Sequence, residues 1–310
     1  MRNQSLKQIA LAVTACLLWS TAFAGVKIGL QYARPYFFAS IRFIISGLLL
    51  FPFWMRGKNI ISIFKQHKKT IGFVTLFQTF LCHGFFYSGI PLIPSALGAI
   101  VIGASPLFAA VTAHLYTQDD KMTRLKISSI AWGLLGIVII SLSRHPWTPA
   151  GLKEFLGICL VAAASISSAL GNVFVSRSKK DINPVFINSI QLFLGGSGLL
   201  LLSVILEGVP QVQLSVPFLL VLGWLATLSA IALTLWFTLL KIPNTKISEV
   251  NLWKFLIPVF GAVFSWIVMP TESPELFTII GMICVASSIV FYYGIQAKVQ
   301  LNLKISKKDS

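Results

Sequence analysis

Charge is what this chain lacks most: Asp, Glu, Lys and Arg make up 11% of it, against 56% apolar residues. So little charge cannot clothe a water-facing globule of 310 residues, which excludes an ordinary soluble domain and leaves lipid as the solvent. Acidic residues are scarcer still, nine in all, and none lies near the middle of a long apolar run, so a proton relay inside a membrane would lack its usual carboxylate. The four cysteines, Cys16, Cys82, Cys159 and Cys284, sit singly inside apolar runs and point to neither a disulfide framework nor a metal site. There is no His-Glu-x-x-His, no paired aspartates and no nucleophile elbow, so we expect no catalytic residues, no metal and no cofactor, and hence no enzyme.

What is present is a series of charge-free stretches. A helix crosses a bilayer with roughly 20 apolar residues, and the 49 residues from Thr70 to Gln118 are enough for two, with Pro91 and Pro94 at the turn between them. The pattern predicts an all-α membrane protein of ten transmembrane helices, near residues 8–29, 35–55, 70–90, 94–117, 125–143, 153–176, 184–206, 215–240, 244–269 and 274–296. The first has the basic start of a secretory signal, yet it runs too long and nine more follow, so it is read as retained.

The formal charge of +16 would raise nucleic acid as a partner in a soluble protein. Its distribution argues otherwise. Nineteen of the 25 lysines and arginines fall at the N-terminus, the tail and the loops at 56–69, 118–126, 177–183 and 241–246, all on one face of a ten-helix arrangement. By the positive-inside rule that face is cytoplasmic and carries both termini. The partners expected of this charge are membrane lipids, with no nucleic acid. The localisation expected is a bacterial inner membrane, as a monomer or weak dimer.

The two halves repeat. Pro35 to Arg42 (Pro-Tyr-Phe-Phe-Ala-Ser-Ile-Arg) aligns with Pro184 to Gln191 (Pro-Val-Phe-Ile-Asn-Ser-Ile-Gln) at an offset of 149, and Pro106 with Pro258 and Asp120 with Glu272 at 152. Five spans per copy is an odd number, so the second copy stands upside down relative to the first, as inverted repeats do. We place the copies at 1–148 and 149–297, followed by a basic cytoplasmic tail at 298–310. Two inverted copies of one shape can exchange conformations, which favours alternating access to a central site.

These residues resemble the drug/metabolite transporter superfamily, in particular its EamA-like ten-helix family. The likeness rests on Trp19-Ser20-Thr21-Ala22-Phe23, on Pro35 with Arg42-Phe43, on Pro106-Leu107-Phe108-Ala109-Ala110 and on Pro258-Val259-Phe260-Gly261-Ala262. It implies two five-helix bundles around a central cavity that moves amino acids or related small metabolites, often outward. The alternative is an importer or antiporter of a nucleoside-like metabolite such as S-adenosylmethionine, or a membrane subunit that transports nothing.

Within the spans, charge is costly, at least ~2.5–3.5 kcal/mol on insertion scales, and so marks function by default. Lys254 lies about ten residues into the ninth span, on the order of 15 Å deep and close to the midplane. Arg42 is about seven residues, or roughly 10 Å, from the outer end of the second, where its long side chain could instead reach headgroups. Near the same depth fall Trp19, Ser20, Gln78, Asn251 and Trp253, and these seven form the expected substrate site. The plainer alternative for the tryptophans is core or lipid contact. Pro106 and Pro258 are expected to kink their helices and serve as gating points. His83 reads as a hydrogen-bonded neutral core histidine. A lone positive Lys254, helped by Arg42, predicts a substrate with a carboxylate or other anionic group, moved by facilitated diffusion or exchange.

Overall fold

In the computed structural model, residues 2–54, 60–93, 95–144, 151–178, 182–209, 212–268 and 276–306 are described. They are all-helical, and among them only an isolated antiparallel bridge, Ala33 with Val212, departs from helix and turn. Six stretches are long and apolar enough to cross a membrane: Pro35–Phe53, Ser62–Leu92, Leu152–Arg177, Pro184–Glu207, Val216–Leu240 and Leu276–Ile295. Shorter apolar helices cover Leu6–Ala22 and Ile100–Tyr116. Large apolar side chains such as Leu201, Ile205, Leu220 and Val290 point outward, while Ser40, Asn172, Asn188, Gln191 and Asn251 are buried. That inside-out distribution suits a hydrocarbon surround.

The segments in order are α1 (Arg2–Gly29), α2 (Pro35–Leu50), α3 (Ile60–Val74), a π-helical stretch (Thr75–Leu81) running straight into α4 (Cys82–Gly89), α5 (Ser95–Gly103), α6 (Ser105–Tyr116) and α7 (Arg124–Arg144). The remainder are α8 (Leu152–Arg177), α9 (Pro184–Glu207), α10 (Val216–Leu240), α11 (Ile247–Leu252), a 3₁₀ turn (Trp253–Phe255), α12 (Leu256–Val268) and α13 (Leu276–Ser306). Prolines open α2 and α9, where a missing N–H costs nothing. Asn183 caps α9 and Ser215 caps α10 through their own side chains.

Three features depart from the spans expected of the sequence. The basic 56–69 segment is largely helix, because α3 already begins at Ile60 and continues unbroken into the bundle. The fourth span is two helices meeting at Ala104, two residues before Pro106, and the ninth is two helices meeting at Trp253–Phe255, just before Pro258. A proline has no N–H for the carbonyl four residues earlier, here Ile102 and Lys254, so the breaks fall at matching places in the two halves. The tail from residue 298 is helical as far as Ser306. The 148/149 boundary and Glu272 lie outside the described residues.

Packing comes in matched couples. α2 packs against α9 and α7 against α13, while the α1–α10 pair has a counterpart in α8–α4, and α1–α12 in α8–α6. The α2–α9 crossing is self-matching at atomic level. A Cβ added at Gly47 would sit 2.7 Å from both Ser189 O and Phe193 N, and one added at Gly196 would sit 3.0 Å from Ser40 O and 2.8 Å from Ile44 N. Positions 196, 189 and 193 each follow 47, 40 and 44 by 149 residues, so the contact maps onto itself when the halves are exchanged. Gly261, by contrast, has nothing within 4 Å of where a Cβ would sit.

Candidate functional site

Two helix ends are capped from a distance, and this fixes what lies between them. α11 has no cap of its own; the Asp120 carboxylate accepts from Ser248 N–H at 2.8 Å and from the Ser248 hydroxyl. Asp120 also takes the Lys126 ammonium at 2.5 Å, with both side chains buried. α2 likewise lacks a side-chain cap of its own, and Glu207 at the end of α9 accepts from the N–H groups of Tyr36 at 2.8 Å and Phe37 at 3.0 Å. Carboxylates at helix N-termini are favoured by the orphan N–H groups and the macrodipole.

The helix anchored by Asp120 carries Lys254 into the bundle. Its ammonium stands over two indole faces, 4.9 Å from the Trp236 ring centre and 5.7 Å from that of Trp19, and the two rings meet edge to face at 5.1 Å. The Cys16 thiol donates to Trp253 O at 3.2 Å, tying the broken turn to α1. Trp236 N–H donates to Asn172 Oδ1 at 3.3 Å, while the Asn172 amide nitrogen is buried without a partner. Among the described residues no carboxylate pairs with Lys254. The nearby acid on its own chain segment, Glu249, is 3.4 Å from Lys246. Cation–π contact of this kind contributes about 0.5–2 kcal/mol, well short of a counter-ion at depth.

Of the residues expected in the site, Lys254 and Trp19 come together. Gln78 faces α8, its amide 3.5 Å from the Ser168 hydroxyl and its Oε1 buried and unpartnered. Ser20 turns to its own helix, donating to Leu17 O at 2.6 Å. Asn251 donates to Ile247 O at 2.8 Å within α11, its Oδ1 sealed without a partner. Trp253 faces the other way, its ring 5.2 Å from Tyr293. Arg42 sits apart from the indoles, its guanidinium 4.3 Å over the Phe43 ring, against which His83 also packs at 4.3 Å. His83 bonds Thr79 O through Nδ1 at 3.0 Å.

Trp236 and Asn172 were not singled out from the sequence. Asn172 had a usable signal, being an amide inside a charge-free run; Trp236 had none, because nothing in its spacing separates it from a lipid-facing tryptophan. No group of three or more His, Cys, Asp or Glu that could hold a metal occurs among the described residues.

The profile of the EamA-like transporter family matches twice, over residues 6–142 and again over 155–294. The chain belongs to the EamA-like transporter family. The two matches start 149 residues apart and end 152 apart, the same offsets that Pro35 with Pro184 and Pro106 with Pro258 display. Among relatives of this EamA-like chain, the "Uncharacterized transporter YoaV" of Bacillus subtilis (strain 168) is 25% identical over 258 residues, covering 82% of this chain and 86% of that one. The "S-adenosylmethionine/S-adenosylhomocysteine transporter" of Chlamydia trachomatis serovar L2 is 23% identical over 293 residues, covering 89% and 86%. A crystal structure superposes with a TM-score of 0.78 at 17% identity, over 95% of this chain and 99% of that one, and shares the fold. The chain is thus a multi-pass membrane transporter of this family.

Proposed function

We propose that this chain is a secondary transporter that moves a carboxylate-bearing small metabolite, of the amino-acid class, across a bacterial inner membrane by alternating access. The observation that carries the reading is the Lys254 ammonium, held at a helix break between the Trp19 and Trp236 faces with no carboxylate opposite it among the described residues. A substrate carboxylate supplies the missing counter-ion, and the indoles cover the apolar part of the same molecule. The matched couples of helices and the self-matching Gly47/Gly196 contact support two inverted five-helix copies, 1–148 and 149–297, as the moving units. In this reading the breaks near Pro106 and Pro258 are where each copy bends, the ten spans leave both termini in the cytoplasm, and the chain acts as an exporter or as a facilitator or exchanger. The chain works without cofactor, as a monomer or weak dimer.

A second reading draws on the chlamydial relative. S-Adenosylmethionine carries both a carboxylate for Lys254 and a flat base for the indoles, so it belongs in any substrate panel. The test is uptake of labelled amino acids and S-adenosylmethionine into proteoliposomes holding the purified chain. Saturable uptake that is lost in Lys254→Ala supports the proposal. Normal uptake in that variant removes Lys254 from the site, and uphill uptake driven by an imposed pH gradient refutes facilitated diffusion or exchange.

A further inference from the structure

We propose that Arg42 is an anion-binding point additional to Lys254, so that the substrate of this transporter carries two anionic groups; the proposal rests on the reading of Lys254 as the substrate's carboxylate partner. Arg42 is 8% exposed, and its Nε is buried with no hydrogen-bond partner. Among the described residues its guanidinium makes no hydrogen bond or ion pair, and its contact is with the Phe43 ring. His83 packs on the same Phe43 ring, and Tyr87 lies one turn further along α4. Neither supplies negative charge: the His83 ring is committed to Thr79 O, and Tyr87 is a phenol.

The other half of the molecule shows what the fold itself requires at this place. The residue 149 positions on is Gln191, fully buried, and it is closed on every side. Its Oε1 accepts from the Thr79 hydroxyl, and its amide donates to Asn188 Oδ1 at 2.8 Å. Asn188 in turn bonds Ala230 O at 3.1 Å and Thr234 Oγ1 at 2.9 Å. A neutral amide with local partners therefore satisfies the packing in one copy, and the guanidinium in the other is surplus to it. A cation at this depth without a counter-ion is a group whose partner arrives from outside.

The third span links the two cations. His83 packs on the Phe43 ring that carries the Arg42 guanidinium, and Trp236, one of the indoles under Lys254, bonds Asn172, whose neighbour Gly171 is in close approach to Gln78. The π-helical stretch that precedes His83, an irregularity often found at functional sites, sets the facing of its turn. In the proposal, one ligand with two negative ends extends along this span from Lys254 to Arg42. Dicarboxylates and phosphate monoesters share this chemistry.

The test uses the purified full chain in detergent, with thermal shifts titrated at constant ionic strength and about pH 8, where a phosphate monoester is doubly charged. The probes are succinate and glutarate in one arm, glycerol phosphate and inorganic phosphate in a second, and butyrate as the monoanion. The expected result is that one dianion arm binds at least about tenfold more tightly than butyrate, as one further charge-assisted hydrogen bond supplies. Arg42→Gln, which installs the amide the fold already accepts at 191, should bring that dianion down to butyrate's level. Arg42→Lys should keep most of the preference, which separates a lost charge from a lost fold. Equal binding of mono- and dianions, no binding by any probe, or a preference that survives Arg42→Gln overturns the proposal. If Lys254→Gln abolishes uptake of a monocarboxylate while Arg42→Gln leaves uptake and binding intact, the transport reading stands and this one fails.

Discussion

Two lysines are buried in this chain, and they are buried on opposite terms. Lys126 is 3% exposed, with Asp120 at 2.5 Å and the Lys121 carbonyl at 3.1 Å. Its carboxylate partner goes on to hold Ser248 through both the backbone N–H and the hydroxyl, so the cluster is closed. Lys254 has two indole faces and no acid among the described residues. The first arrangement is a joint that pins α11 to the α6–α7 connection. The second is a charge left open, and a chain with nine acids had every opportunity to leave it so. Burial alone does not mark a functional cation; burial without a protein counter-ion does.

The sharpest way to break this contrast is to exchange the consequences of removing each residue. Lys254→Ala is expected to reduce uptake into proteoliposomes to the level of empty vesicles while the melting temperature of the purified chain holds or rises, since an uncompensated charge is removed. Trp236→Phe, which keeps a π face but not the bond to Asn172, should retain partial uptake. Unchanged uptake in Lys254→Ala would place Lys254 with Lys126 as architecture.

Asp120→Ala should behave in the reverse sense. It strands the Lys126 ammonium in a buried position and uncaps α11, at a cost of about 3–5 kcal/mol, read as a large drop in melting temperature. Adding Lys126→Met should recover most of that loss, because a paired charge replaced by apolar groups is close to neutral. A double variant no better than the single one would show that the stability comes from the cap on Ser248 and not from the ion pair.

Much of this was legible in the sequence. The paucity of charge pointed to the membrane, and the motifs from Trp19 to Ala262 pointed to the family whose profile matches. The offsets of 149 and 152 and the lone lysine deep in an apolar run supplied the inverted repeat and the site on which the proposed function rests. The remainder was hidden for physical reasons. Asp120 and Lys126 read as loop charges, because a charge count assigns a side to a loop but says nothing of whether a helix end nearby needs a cap. Trp253 and Ser20 share a depth with Lys254 but not a direction. Trp253 precedes Lys254 by one residue, and consecutive residues on a helical turn do not share a face, so the second indole over the ammonium comes from α10.

A smaller effect tests whether the two halves are matched as closely as the joint and the open charge are contrasted. Gly47→Ala and Gly196→Ala each drive a methyl into the backbone of the facing helix, with nothing flexible to give way. Overpacking of this kind costs about 1–3 kcal/mol, and the two variants should lose similar stability because the contact is reciprocal. Strongly unequal losses, measured by denaturation in the same detergent, would argue that α2 and α9 are not mates about a shared axis.

The smallest effect belongs to the other distant cap. Glu207, like Asp120, holds the N-terminus of a helix that cannot cap itself, through Tyr36 and Phe37. It differs in what removal leaves behind. No buried ammonium depends on its carboxylate: Arg34 bonds the Glu207 backbone carbonyl, and the carboxylate's further partner is the neutral Ser203 hydroxyl at 2.7 Å. Glu207→Gln keeps one acceptor for the helix end but loses the charge and one of the two backbone hydrogen bonds, so the expected cost is about 1 kcal/mol, with uptake unchanged. A loss as large as that of Asp120→Ala would mean that capping, and not the stranded lysine, sets the cost at both ends, and the distinction between a closed joint and a simple cap would have to be given up.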